Sequence, residues 1–202
     1  MTTVTATRSE LLARRSREGI ARRGQALLTQ KRAALIGELR RAGLEVGDKR
    51  AELERAAAAA RRALGQALVV DGPEAVASAA VAASRPVSDE VTSRSVAGVP
   101  VIGLDADRVA RARAGRGYAL LTSTATIDRA AESFEAELDA LFQLVAAELN
   151  LRRLAGEVAR GTRQVNALGQ VVIPRLVAEQ RHIAETLEQR ALEDRGRITR
   201  RA

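Results

Sequence analysis

Apolar side chains recur every eleven residues through the stretch LAGEVARGTRQVNALGQVVIPRLVAEQRHIAETL, residues 154–187. Leu154 and Val165 begin the series, and Leu176 and Leu187 continue it. Eleven residues in three turns correspond to 3.67 residues per turn, slightly more than in a straight α-helix. The stretch therefore predicts one member of a coiled coil that is nearly straight or weakly right-handed.

The first third of the chain carries the same period. Leu35 and Val46 stand eleven apart, as do Leu53 and Leu64. The sequence Thr7-Arg8-Ser9-Glu10 is a capping box, and no proline follows it until Pro73, so we expect one helix of about 60 residues. A helix of this length that contains several glycines requires a packed partner.

The two periodic segments predict a mainly α protein built on a long antiparallel two-helix coiled coil. The helices pair through a seam of apolar side chains. The predicted seam residues are Leu35, Val46, Leu53, Leu64, Leu154, Val165, Leu168, Val172, Leu176, Ile183 and Leu187.

The middle of the chain has a different pattern. Gly72-Pro73-Glu74 predicts the start of a short helix that ends at Pro86, and the valine-rich residues 86–104 predict a small β-hairpin. Residues 105–122 form a connector whose expected loosest point is Gly115-Arg116-Gly117. The predicted parts are a helix over 1–70, a middle section over 71–122 and a second helix over 123–202.

Two residues of the second helix break its pattern. Pro174 lies within the apolar stripe, where a proline removes a backbone hydrogen bond, so we expect a bend or a locally loosened turn. Asn166 lies beside the stripe and is either an ordinary exposed asparagine or a buried one that fixes helix register.

Composition excludes several classes of protein. The 202 residues contain no cysteine and one histidine, and neither lysine follows a phosphate-binding glycine-rich loop. We therefore predict no catalytic residues, no metal site and no cofactor. The arginine-rich start lacks the apolar core of a signal peptide, and no apolar run is long enough to span a membrane, so we expect a cytoplasmic protein without direct membrane insertion.

The net charge of +8 is concentrated at the two ends. Residues 1–62 and 150–202 are basic, whereas residues 63–149 are acidic. Such ends attract either nucleic-acid phosphates or an acidic protein surface, and charge alone does not choose between them. Stacking aromatics are scarce, which weakens the case for nucleic acid.

The chain resembles the D subunit of the rotary V-type ATPases and their prokaryotic A/V-type relatives. The resemblance rests on TRSELLARRSREGIARRGQALLTQKRAALIGEL (residues 7–39), VTSRSVAGVPVIGL (residues 91–104) and RQVNALGQVVIPRL (residues 163–176). Its most specific residues include Lys31, Arg32, Asn166, Pro174 and Arg175.

The resemblance implies a non-catalytic rotor shaft in the central stalk, which transmits torque between the A and B subunits of a hexamer and an ion-translocating membrane ring. It implies further contacts with the F subunit of the stalk and the C/d socket, in a complex that is peripheral to the membrane. Basic residues would face the stator: Arg14, Arg15, Arg22, Arg23, Arg195, Arg197, Arg200 and Arg201. The alternative is a basic coiled-coil protein that binds nucleic acid or acts as a scaffold.

Overall fold

A computed structural model describes residues 6–83, 91–104, 111, 115–118 and 124–199. Helix α1 runs Arg8–Asp71 and helix α2 runs Pro73–Ala83. Strands β1 (Val91–Val96) and β2 (Val99–Leu104) follow, and the chain then forms α3 (Ala125–Ala167), a π-helical turn (Leu168–Val172) and α4 (Ile173–Thr199). The predicted fold class, mainly α with a short helix and a hairpin in the middle, is confirmed. The expected end of the short helix at Pro86, and residues 86–90 of the expected hairpin, lie outside the described residues.

Helix α1 begins where the capping box predicts. The amide of Glu10 donates to the Thr7 hydroxyl oxygen at 3.2 Å, which satisfies one of the unpaired amides of the first turn. The Glu10 carboxylate contacts the Arg14 guanidinium one turn later at 2.9 Å. Thr7 therefore acts as the expected cap.

The chain divides into two compact units, of which the first comprises Met1–Ile36 and Glu157–Ala202. Within this unit the N-terminal part of α1 pairs in antiparallel fashion with the end of α3 and with α4. Lys31 contacts Glu157 at 3.0 Å, while near the chain ends Arg190 donates to the Ala6 carbonyl at 3.0 Å. Leu35 and Ile183, only 1% and 0% exposed, are the largest fully buried side chains in the described part of the protein.

The second unit comprises Gly37–Gly156. Its part of α1 is antiparallel to α3, since Arg50 contacts Glu148 at 3.5 Å and the Thr126 hydroxyl donates to Asp71. Small buried side chains pack these helices closely: Ala63, Ala67 and Ala130 surround Ile127. Val76 and Ala79 of α2, together with Tyr118, cover this cluster.

The hairpin is antiparallel, and its register pairs Val96 with Val99 and Ser93 with Ile102. Ala97 and Gly98 form the two-residue turn, and both have positive φ angles, 51° and 81°. Two successive positive φ values define a type I′ turn, whose twist matches that of the flanking strands. The order of elements therefore agrees with the predicted helix, middle section and helix, although the division at residues 70 and 122 stays a prediction, as does the handedness of the helix pair.

Candidate functional site

The predicted seam residues are placed as follows. Buried are Leu35, Leu154, Val165 and Ile183, and half-buried are Val46, Leu53, Leu64, Leu168, Leu176 and Leu187. Val172 is the exception, with 39% of its surface exposed, while its neighbour Ile173 is only 7% exposed. The assignment of Val172 to the interior is wrong because it assumed an unbroken α-helix.

The cause of this shift is the π turn directly before Pro174. The Ile173 amide donates to the carbonyl of Leu168, five residues back rather than four. The departure from α-helical spacing is local to this turn, because Ile183, farther along the same helix, is buried as the unbroken pattern predicts. The local loosening expected at Pro174 therefore takes the form of a π turn, and it moves the buried position from Val172 to Ile173.

Polar contacts between the helices supplement the apolar seam of the first unit. Gln180 donates to the Glu18 carboxylate at 2.7 Å. This hydrogen bond, followed by that from Arg22, lowers the pKa of Glu18 below its ordinary value. Arg14 bridges to Glu179 at 2.9 Å. These contacts fix α4 against the first turns of α1.

The family-motif residues occupy different settings. Lys31 reaches across to Glu157, and Arg32 is half-buried. Arg175 pairs with Glu179 on its own helix at 2.9 Å, and Pro174 is exposed. Asn166 is exposed as well, which excludes its alternative role as a buried residue that fixes register.

The Lys31–Glu157 pair gives stability a pH dependence. The hydrogen bond from Lys31 holds the pKa of Glu157 below its ordinary value. The pair contributes about 0–1 kcal/mol to the free energy of unfolding, as expected for a partly exposed ion pair. This contribution is complete above the pKa of glutamate in the unfolded chain, about 4.3, and is lost as pH falls through the lower pKa of Glu157 in the folded protein. The free energy of unfolding of Lys31→Met, measured with urea, should fall less between pH 7 and pH 3 than that of the wild type. An identical pH profile of the two proteins would contradict this.

The predicted stator-facing arginines do not all face outward. Arg15, Arg22, Arg23, Arg195 and Arg197 are exposed, and Arg200 and Arg201 lie outside the described residues. The Arg14 guanidinium is 18% exposed because it lies between Glu10 and Glu179, so its assignment as an outward-facing residue is wrong. An outward side chain would leave both carboxylates without this cation.

Asn150 on α3 holds the hairpin. Its side-chain carbonyl accepts from the Ile102 amide and its side-chain amide donates to the Ile102 carbonyl, each at 2.7 Å. Arg153, one turn later, donates to the Pro100 carbonyl at 3.1 Å, and Pro100 has no amide of its own to satisfy. The outer edge of β2 is thus paired with side chains of α3 much as it would pair with another strand.

Replacing Asn150 by leucine should release this edge. Both polar groups of Ile102 would lose their partners, at a cost of about 1–3 kcal/mol. We expect faster hydrogen exchange at the amides of β2 and a lower free energy of unfolding. The matched control is Asn166→Leu, at an exposed position of the same helix; equal effects of the two substitutions would refute the assigned role of Asn150.

Arg116 is the most buried charged side chain in the described part of the chain, at 3% exposure. Its Nε and Nη2 atoms donate to the two carboxylate oxygens of Glu135 at 3.0 and 2.9 Å, and this bidentate pair raises its pKa. Arg116 is therefore held firmly, while the expectation that residues 115–117 are the loosest point of the connector stays a prediction, because most of residues 105–122 lie outside the described residues. Gly117 permits the arrangement, since it has a φ of +90° and a Cβ there would lie 2.5 Å from the Ala82 carbonyl oxygen.

Tyr118, the only tyrosine of the chain, reports on the surroundings of Arg116. Its hydroxyl donates to Asp128 at 2.9 Å, and burial, together with that hydrogen bond, raises its pKa. Because the chain has no tryptophan, ultraviolet titration of tyrosinate measures this pKa directly. We expect a midpoint above the ordinary value of about 10 and a lower midpoint in Asp128→Asn; a wild-type midpoint at the ordinary value would contradict the buried setting.

Next to Arg116 and Tyr118 lies a cavity of about 330 Å³. Alanines and larger apolar side chains of α1, α2 and α3 line most of it, and Arg116, Tyr118 and Glu135 line its polar side. Across residues 6–83, 91–104 and 124–199, no three histidine, aspartate or glutamate side chains are placed to hold a metal ion. Over the same residues, no helix combines the length and apolarity needed to cross a bilayer.

The polar residues that organise both units are Gln180, Asn150, Arg116 and Glu135, and sequence reasoning did not identify them as such. Their partners lie far away in sequence: Asn150 is 48 residues from Ile102, and Gln180 is 162 residues from Glu18. Local spacing carries no signal for such pairs.

Comparison with known proteins gives a consistent result. The family model for the D subunit of ATP synthase matches residues 10–200. The V-type ATP synthase D subunit from Anaeromyxobacter sp. (strain Fw109-5) is 38% identical over 200 residues, which are 99% of this chain and 93% of the relative. The A-type ATP synthase D subunits of Thermococcus kodakarensis and Pyrococcus horikoshii are 35% and 34% identical, each over 96% of this chain and 91% of the relative.

Proposed function

The chain belongs to the family of ATP synthase D subunits, whose members are non-catalytic central-stalk components of V/A-type ATPases, and we propose how it works within that complex. In this proposal α1 and the C-terminal helices form a rotor shaft in the bore of the hexamer of A and B subunits. ATP hydrolysis or synthesis occurs in those neighbours, and the shaft couples it to ion movement through the membrane ring. The comparisons support this function and not nucleic-acid binding.

The observation that carries the proposal is the antiparallel helix pair of the first unit. A shaft that transmits torque must resist twisting, and two helices tied to one another resist it better than one. Here the ties are both apolar and polar: buried Leu35 and Ile183 are accompanied by the Arg14–Glu179 and Lys31–Glu157 bridges. The pair therefore has the cohesion that the role requires.

Contact with the stator must also be weak enough to break at each step. The exposed arginines Arg15, Arg22, Arg23, Arg195 and Arg197 suit such contacts, since exposed ion pairs contribute only about 0–1 kcal/mol each. The Arg190–Ala6 hydrogen bond shows that the helix ends carrying these residues meet within the first unit. We propose that they face acidic surfaces of the A and B subunits.

The proposed location is cytoplasmic and peripheral to the membrane, where the F subunit and the C/d socket bind the second unit. The hairpin is our candidate contact for the F subunit or for the adjustment of coupling. Removing residues 87–104 should then change binding of the F subunit or ATP hydrolysis by the assembled complex. If neither F-subunit binding nor ATP hydrolysis changes, this role is ruled out.

The proposal is tested by affinity purification of the tagged chain from native membranes, followed by mass spectrometry. We expect the A and B subunits of the ATPase, with the F subunit and the C/d socket among the remaining proteins. A matched sample in which Arg15, Arg22 and Arg23 are replaced by glutamate should retain less of the A and B subunits. Purification without either of them would refute the assignment of partners.

A further inference from the structure

The two edges of the β-hairpin differ in how their backbone groups are satisfied. On β2, Asn150 binds both polar groups of Ile102, and Arg153 binds the carbonyl of Pro100. On β1, the described residues of the chain form no hydrogen bond with the backbone groups that point away from β2. The hairpin therefore has one edge covered by α3 and one edge that is open.

The strand register identifies the open groups. Ser93 lies opposite Ile102, whose amide and carbonyl bind Asn150 rather than β1, so these two residues form a pair without ladder hydrogen bonds. Because hydrogen-bonded and non-hydrogen-bonded pairs alternate in an antiparallel ladder, Ser95 opposite Pro100 is the next pair of this kind. Ser93 and Ser95 therefore direct two amides and two carbonyls outward from the sheet.

The surface of β1 leaves this edge accessible. Residues 92–95 are all exposed, and the register runs through β1 without a bulge. Natural sheets commonly protect a free edge with a proline, a bulge or several charges. β1 has no proline, and Arg94 is its only charged residue. The edge is therefore suited to pairing with an added strand, the mode in which extended peptides bind exposed sheet edges.

Arg94 indicates the charge of such a strand. It is exposed and forms no ion pair within the described part of the chain. In an antiparallel strand that binds Ser93 and Ser95, the residue opposite Arg94 belongs to a non-hydrogen-bonded pair, in which side chains lie closest. A carboxylate at that position would meet the guanidinium, so the complementary segment is acidic.

The strength of this pairing limits which partner can use it. Each backbone hydrogen bond contributes about fivefold to affinity, so the four outward groups of Ser93 and Ser95 together bind firmly. Such a contact does not suit a stator surface, from which the shaft must detach at each step. It suits a protein that turns together with the shaft.

We propose that β1 is a docking edge for an extended acidic segment of the F subunit, which adds to the hairpin as a third strand. The choice of partner rests on the proposed function, in which the F subunit belongs to the central stalk and the hairpin is its candidate contact. Backbone hydrogen bonds at Ser93 and Ser95 hold the added strand, and an ion pair with Arg94 fixes its register.

Hydrogen exchange of the wild-type chain, followed by NMR with and without purified F subunit, tests the docking edge directly. The amides of Ser93 and Ser95 should exchange at least about tenfold more slowly in the complex, because they gain hydrogen-bond acceptors. The Arg94 amide already points toward Val101 of the hairpin, so its rate should change by less than about threefold. Equal slowing at all three positions, or none at Ser93 and Ser95, would overturn the docking edge.

A proline substitution tests the same edge by affinity. Ser93→Pro removes one outward amide and leaves the ladder intact, since Ser93 gives no hydrogen bond to β2. Ser93→Ala is the matched control, because it keeps the amide. In calorimetric titration with purified F subunit, Ser93→Pro should bind at least about tenfold more weakly than the wild type, and Ser93→Ala within about twofold of it. Equal affinities of the two variants would overturn the docking edge.

Reversal of one charge tests the acidic character of the partner segment. Arg94→Glu should weaken binding of the F subunit at least about fivefold at low salt, and less at about 0.5 M salt, where the repulsion is screened. Arg61→Glu is the control, since Arg61 is an exposed arginine of α1 in the same unit. Equal effects of the two substitutions would overturn the ion pair at Arg94.

The remaining outcomes separate the docking edge from the proposed function. If deletion of residues 87–104 weakens binding of the F subunit but Ser93→Pro does not, the hairpin contacts that subunit without strand addition, and the docking edge is overturned while the proposed function stands. Failure of the F subunit alone to bind, or protection of Ser93 and Ser95 by the C/d socket instead, also overturns the docking edge. Failure of the A and B subunits to bind refutes the proposed function.

Discussion

Ile183→Ala is expected to lower the free energy of unfolding of the first unit by about 3 kcal/mol. Ile183 is fully buried, and truncation removes apolar contacts and leaves a cavity, which together cost about 2–5 kcal/mol at such sites. It packs in the unit where α4 meets α1, so the loss weakens the pairing of the two helices directly. Urea unfolding followed by circular dichroism measures the change.

The control for this prediction is Leu192→Ala on the same helix. Leu192 is exposed, so its truncation should change the free energy of unfolding by no more than about 0.5 kcal/mol. Similar losses at positions 183 and 192 would show that α4 is not packed against α1 through Ile183. That result would remove the main support for the shaft.

Arg116→Met is expected to destabilise the second unit by about 3 kcal/mol. The substitution leaves the Glu135 carboxylate in a largely buried setting without its bidentate partner, and breaking such pairs from one side costs about 3–5 kcal/mol. Replacement of both residues, Arg116→Met with Glu135→Leu, removes the uncompensated charge at position 135, whereas the buried Asp128, 4.0 Å from the Arg116 guanidinium, stays. The double variant should therefore recover part of the loss, and a thermodynamic cycle measured by urea unfolding gives the coupling energy.

Arg129→Met is the matched control, since Arg129 is an exposed arginine on α3. Its effect should stay within about 0.5 kcal/mol. If Arg116→Met is equally mild, or if the double variant loses the sum of the two single effects, the Arg116–Glu135 pair does not anchor the connector to α3.

Apolar periodicity predicts the helix pair because burial of one face determines which residues recur every eleven positions. Leu35, Leu154 and Ile183 are buried as the pattern indicates. Val172 departs from the pattern locally, since it lies in the π turn, where the number of residues per turn differs from that of the flanking α-helices. Pro174 signals a disturbance there but not its form.

The settings of Arg116 and Arg14 were predicted less well than the helix pair, and the reason is different. Flanking glycines mark Arg116 as part of a loose loop, yet its burial depends on Glu135, 19 residues away. Arg14 is judged from charge alone as an outward residue, yet Glu179 on the opposite helix draws it inward. Such pairings arise from the fold, and short-range sequence patterns contain no information on them.

If this chain turns inside the hexamer as proposed, rotation of single complexes will show it. The chain has no cysteine, so Ser95→Cys, an exposed position of β1, gives it a single thiol to which a bead can be attached. The complex is fixed to a surface through its A and B subunits. We expect stepwise rotation of the bead in one direction while ATP is hydrolysed. A bead that stays fixed during hydrolysis would contradict it.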